Sequence, residues 1–129
     1  MRHVINCVSV IFAIVALVAP WTLSGAQTRK PLACNVGPVH MTFGDTPWLV
    51  YSCEDGKSLV VVSKAGSIAA PFYFVLAWRD GKYTISGEGN GSEAASTAAG
   101  RDLEAMSTAD IETLVTETRA VARKLSTEP

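Results

Sequence analysis

Residues 72–88 read Phe72-Tyr73-Phe74-Val75-Leu76-Ala77-Trp78-Arg79-Asp80-Gly81-Lys82-Tyr83-Thr84-Ile85-Ser86-Gly87-Glu88, two alternating apolar runs on either side of Asp80-Gly81. An Asp-Gly pair suits the positive φ angles of a type I′ turn, so the stretch predicts a β-hairpin with a two-residue loop. The turn sets the register: Trp78 faces Tyr83, Leu76 faces Ile85 and Phe74 faces Gly87. Every large apolar side chain except Tyr73 and Val75 then falls on one face, so turn chemistry and hydrophobic pattern agree.

Upstream, Trp48 to Glu54 and Lys57 to Ser63 flank Asp55-Gly56 in the same way. A second type I′ turn there sets Tyr51 opposite Val60, Leu49 opposite Val62, and the opposite charges of Glu54 and Lys57 face to face beside the turn. Val39, Met41 and Phe43 alternate with His40 and Thr42, a short strand ended by the turn chemistry of Gly44-Asp45-Thr46-Pro47. Trp48, Tyr51, Trp78 and Tyr83 are expected in the core, since aromatic side chains on pleated faces usually pack. Tyr73 shares its face with Val75, Ala77 and Arg79, which makes it a candidate contact for a partner.

After Gly91 the apolar period changes to about three and a half. Ser92 is placed to cap a helix with Ala95, Ala99, Leu103 and Met106 inward. Gly100 in its middle costs about 1 kcal/mol, so this helix depends on packing. Ser107 and Asp110 form a capping box for a second helix, with Met106 and Ile111 as hydrophobic staple. Its apolar stripe is Ile111, Leu114, Val115, Thr118, Val121, Ala122 and Leu125, and residues 126–129 are expected to fray. Strands over 39–88 followed by helices over 92–125 define an α+β fold: an antiparallel meander of four to five strands with two C-terminal helices packed on one face. The single domain spans 39–129 and follows an N-terminal loop at 27–38.

The first residues carry a different message. Met1-Arg2-His3, the apolar run Val8 to Ala19 and the small residues of Ser24-Gly25-Ala26 have the three-part layout of a secretory signal peptide spanning 1–26. Retention as a membrane anchor is the open alternative, because Val4 to Trp21 just reaches spanning length. Lipidation at Cys34 is disfavoured by Pro31, which stands where a lipoprotein box carries a branched aliphatic residue. Cleavage after Ala26 removes Cys7 and leaves Cys34 and Cys53, an even pair that reads as a disulfide in an oxidising compartment, periplasmic or secreted.

The full chain has 129 residues and a formal net charge of −1, with 48% hydrophobic and 18% charged residues. It has no long basic run, which argues against a nucleic-acid partner, and after cleavage no membrane segment is expected. Gly87-Glu88-Gly89-Asn90-Gly91 sits between strand and helix, where a phosphate loop would sit. Ser92 replaces the third glycine of the dinucleotide fingerprint and no Lys-Ser/Thr pair follows, so an exit loop is the expected role. Asn90-Gly91-Ser92 matches a glycosylation sequon, relevant in a eukaryotic host. His40 is the only histidine after cleavage and no zinc tetrad or EF-hand spacing is present, so neither metal nor cofactor is expected.

Tyr51-Ser52-Cys53-Glu54-Asp55-Gly56-Lys57-Ser58-Leu59-Val60-Val61 resembles the cysteine-bearing hairpin of the small periplasmic inhibitors of C-type lysozyme. The resemblance covers about a dozen residues, and what it implies is an exported, disulfide-bonded inhibitor. Those inhibitors are β-barrels whose inhibitory loop carries Ser-Gly-x-x-Tyr; here Ser86-Gly87-Glu88-Gly89-Asn90 has Asn90 in place of the tyrosine, and two helices follow.

The function expected is that of a small exported, non-catalytic binding protein whose partner is a protein or a cell-envelope component. Tyr73, Ser86, Gly87, Glu88, Gly89 and Asn90 are the candidate contact residues. The first alternative is inhibition of a cell-wall hydrolase through the loop Ser86 to Gly91. The second is a small hydrolase that uses His40, with Asp45 as its partner beside a serine.

Overall fold

Asp80 and Gly81 both take positive φ, 51° and 79°, the pair of angles a type I′ turn demands. The strands they join, β4 (Phe72–Arg79) and β5 (Lys82–Gly89), pair in the register expected: Trp78 with Tyr83, Leu76 with Ile85, Phe74 with Gly87. The computed structural model describes residues 31–129. The expected signal peptide, its cleavage site and the first part of the expected loop at 27–38 lie outside the described residues.

The Asp55-Gly56 turn is built differently. The strands β2 (Thr46–Ser52) and β3 (Leu59–Ser63) keep the expected register, Leu49 with Val62 and Tyr51 with Val60. Between them lies a loop, Cys53 to Ser58, in which Gly56 alone takes a positive φ. Cys53 N–H donates to the Ser58 carbonyl and Gly56 N–H to the Cys53 carbonyl. The Asp55 carboxylate accepts from Lys57 N–H, Ser58 N–H and the Ser58 hydroxyl at 2.9, 2.8 and 2.6 Å. Those local bonds outcompete the tight turn, as short acidic side chains do when they satisfy neighbouring N–H groups. Glu54 and Lys57 therefore do not pair. Lys57 instead reaches Glu112, at 3.8 Å, and sits 5.2 Å from the centre of the Trp78 ring.

A further hairpin opens the domain. Gly44 and Asp45 both take positive φ, 57° and 61°, and join β2 to β1 (Val36–Phe43). Strand β1 thus starts inside the segment read as loop, and a bulge between Val36 and Val39 separates its first residues from the regular ladder. The result is one five-stranded antiparallel sheet in the order β1-β2-β3-β4-β5.

Both helices follow the sheet and cover one face of it. Ser92 caps α1 (Glu93–Glu104), accepting from Ala95 N–H, and Ala95, Ala99 and Leu103 are buried. Gly100 lies in mid-helix against Phe74, where a Cβ would stand 3.4 Å from the ring, in ordinary contact. The capping box of Ser107 and Asp110 starts α2 (Thr108–Thr127), which includes Ser126 and Thr127, expected to fray. Helix α2 lies over β1 and β2, and α1 lies against β1. No helix among the described residues is long and apolar enough to cross a membrane.

The core is centred on Trp48, which is fully buried with Val50, Leu59, Val61 and Leu76. Its indole N–H reaches the Phe43 carbonyl and the Thr46 hydroxyl, and Phe72 and Phe74 pack around its ring. Trp78 and Tyr83 meet edge to face, with ring centres 4.8 Å apart, but are only half-buried. Tyr51, expected in the core, is half-buried on the opposite face, because the strand alternation that sends Trp48, Val50 and Ser52 toward the helices sends Leu49 and Tyr51 away. The disulfide joins Cys34 to Cys53, and Glu54 N–H donates to the Ala33 carbonyl at 2.8 Å, so residues 33–34 are held against the β2–β3 loop.

Candidate functional site

On the face of the sheet away from the helices, successive cross-strand pairs form a row through all five strands: His40, Leu49, Val62, Tyr73 and Glu88. Its last two members meet. The Tyr73 hydroxyl donates to Glu88 Oε2 at 2.9 Å, and this bond, followed by the negative charge of Glu88, holds the phenol pKa above its ordinary 10.0. Tyr73 is 41% exposed, so the pair stands at the surface.

The backbone below the pair is held by Pro71, whose carbonyl accepts from both Asn90 N–H and Gly91 N–H. Pro71, Phe72, Tyr73, Glu88, Gly89 and Asn90 surround an open cleft of about 430 Å³. The structure thus brings together four of the residues singled out in the sequence, Tyr73, Glu88, Gly89 and Asn90. Ser86 lies on the same face one step away, opposite Val75. Gly87 belongs to the other face, where a Cβ would run into the Phe72 and Phe74 rings; it lines a separate groove of about 360 Å³ with Phe74, Gly100, Arg101 and Glu104.

Pro71 and Phe72 were not legible as part of the site. Phe72 reads as core by alternation, yet as the first residue of β4 it is only half-buried, with one side on the Trp48 cluster and the other on the cleft. A proline directly before an apolar strand was the available signal that the strand begins at a sheet corner.

The cleft offers apolar rings, a phenol–carboxylate pair and the side-chain amide of Asn90. Those groups can hold an aromatic or aliphatic surface and hydrogen-bond its polar rim. His40 is exposed in mid-β1 and Asp45 lies in the turn, with no hydrogen bond from His40 to Asp45 or to a serine among those of the described residues. Among the described residues, no three His, Cys, Asp or Glu side chains gather where they could hold a metal ion. Comparison with known protein families, with characterised proteins and with solved structures returns no match for this chain.

Proposed function

We propose that the protein is a small exported binding protein, acting by contact and not by catalysis, and that its contact surface is the corner formed by Tyr73, Glu88, Gly89 and Asn90. One observation carries this reading: the exposed Tyr73–Glu88 pair sits on the rim of an open cleft, on the sheet face that neither helix covers. Tyrosine with an adjoining polar rim is the composition of protein contact surfaces. Export is supported by the signal-like sequence of residues 1–26 and by the Cys34–Cys53 bond, which suits an oxidising compartment. The partner is then a protein or envelope component of that compartment, and a cell-wall hydrolase is the narrower candidate.

A photo-crosslinking side chain at Asn90 tests the reading against the same side chain at Lys124 on α2. Capture of one partner from position 90 in the native compartment, lost on Tyr73→Ala and absent from position 124, is the expected result. Equal capture from both positions would overturn it. Dose-dependent suppression of lysozyme, lost on the same substitution, would narrow the partner to a cell-wall hydrolase.

A further inference from the structure

The sheet has two edges, β1 and β5, and they are treated differently. Strand β1 is blunted by its bulge and by Pro38, which has no N–H, and α2 packs along it. Such devices prevent one edge from templating another. Strand β5 has none of them. It pairs with β4 without interruption from Arg79–Lys82 to Phe72–Gly89.

In a hairpin with a two-residue loop, the pair beside the turn is hydrogen-bonded and bonding alternates from there. Lys82, Thr84, Ser86 and Glu88 therefore direct their main-chain groups to β4. Tyr83, Ile85 and Gly87 direct theirs outward, away from the only strand that β5 pairs with among the described residues.

We propose that this edge pairs antiparallel with β5 of a second copy, about a two-fold axis through Ile85, to give one continuous sheet across the dimer. An isologous contact requires the strand to be complementary to itself, and this register is. Lys82 faces Glu88 of the second copy, twice per dimer, and opposite charges across a ladder are favourable. Tyr83, the bulkiest side chain on the strand, faces Gly87, which has none, so no two large side chains meet at that pair. Thr84 faces Ser86, and Ile85 faces itself.

The neighbouring registers are worse. Moving the axis to Thr84 sets Glu88 against Asp80, two like charges, and moving it to Ser86 sets Lys82 against Asn90 and leaves it without a carboxylate. The centred register makes about six main-chain hydrogen bonds. Lys82 has no ion-pair partner among the described residues. This inference shares Glu88 with the cleft reading but does not rest on it, because the main-chain edge and the Lys82–Glu88 match stand whatever the cleft binds.

Sedimentation equilibrium of the purified, disulfide-bonded protein tests it. At about 100 μM, where a micromolar dissociation constant gives mostly dimer, the wild-type chain is expected to be dimeric. Glu88→Lys, which sets two ammonium groups opposite one another, should weaken the dimer at least about tenfold. The double variant Lys82→Glu/Glu88→Lys should restore it, although it does not restore the bond to Tyr73. A wild-type monomer at 100 μM, a dimer indifferent to Glu88→Lys, or a double variant as weak as the single one would each overturn the proposal.

Discussion

The hydroxyls of Ser52 on β2 and Thr118 on α2 lie 2.7 Å apart, and both residues are fully buried. This is the polar tie between the last helix and the sheet. Thr118 is also 2.7 Å from the Val115 carbonyl, one turn back in its own helix. A buried hydroxyl that loses its partner costs about 1–3 kcal/mol, whereas replacing both partners by apolar groups is nearly neutral. Thr118→Val should therefore destabilise the protein by about that amount in urea denaturation. Ser52→Ala/Thr118→Val should cost less than the sum of the single variants. Strict additivity would show that packing alone sets the effect.

Gly44 and Gly81 both sit in positive-φ turns, but their surroundings differ. A Cβ on Gly81 would meet nothing within 4 Å, while one on Gly44 would collide with the backbone of Ala98 and Ala99 in α1. Gly44 N–H also donates to Asp102 Oδ2 at 2.6 Å. Gly81→Ala should cost about 1–2 kcal/mol, the penalty of the left-handed conformation. Gly44→Ala should cost at least about twice as much, because the helix must also move. Equal losses in chemical denaturation would mean that the contact with α1 is slack.

Reduction of Cys34–Cys53 removes a crosslink between residues 19 apart, an effect of about 3 kcal/mol in the chain-entropy model. The urea midpoint should fall while the helical circular dichroism below the transition is unchanged, since both helices lie outside the closed loop. The oxidised protein should resist alkylation and weigh about two mass units less than the dithiol, the mass of the two hydrogens lost in forming the bond. Loss of helical signal on reduction would show that the bond supports more than its own end of the sheet.

Acid should weaken the fold through two carboxylates. Asp110 is held below its ordinary 3.8 by the Ser107 backbone N–H and then by the Ser107 side chain. For Asp55 burial acts upward, but the Ser58 hydroxyl and the N–H groups of Lys57 and Ser58 outweigh it and lower the value. A depressed folded-state pKa means that the unfolded chain binds more protons, so the stabilisation is present above the ordinary value and is lost as pH falls through the lowered one. The urea midpoint should drop as pH falls below about 4, and Asp110→Asn should flatten that dependence. An unchanged slope would remove Asp110 as a contributor.

At the other end of the scale, Tyr73 and Tyr83 both titrate above 10.0, Tyr73 chiefly through its bond to Glu88 and Tyr83 chiefly through burial. A raised folded-state value holds the proton more tightly in the native protein, so stability present below pH 10 declines as pH rises through the raised values. In an ultraviolet difference titration, Glu88→Gln should bring one tyrosine back toward its ordinary value and leave Tyr83 where it is. No change on Glu88→Gln would mean that the pair does not form in solution.

The parts legible in the sequence were those fixed by neighbouring residues. Asp80-Gly81 set a register because the turn and the alternation constrain the same strands, and Ser92 and Ser107 announced their helices because capping is local. Asp55-Gly56 misled because the Asp55 carboxylate had a competing use that the dipeptide does not reveal. The Gly44-Asp45 hairpin was obscured by Pro47, which reads as a strand breaker. Its imide nitrogen is harmless because the β2–β3 pairing ends at Trp48–Ser63, so no N–H is needed beyond it. Tyr73 was legible as an exception on its own strand. The row that runs from His40 to Glu88 was not, because the pairing of Val62 with Tyr73 spans the 64–71 connection, whose two turns, from the Lys64 and Ser67 carbonyls, do not set a register as a two-residue loop does.

The order of elements has a consequence for how the chain is made. The sheet is a chain of neighbours that can pair as they emerge, but its apolar side is sealed mainly by the last helix, and Thr118 meets Ser52 across 66 positions. Contacts so distant in sequence carry a loop-closure cost in entropy, which slows folding. Without α2, the side of β1 and β2 on which it packs lies uncovered. The final stretch of the chain is therefore what closes the apolar side of its first two strands.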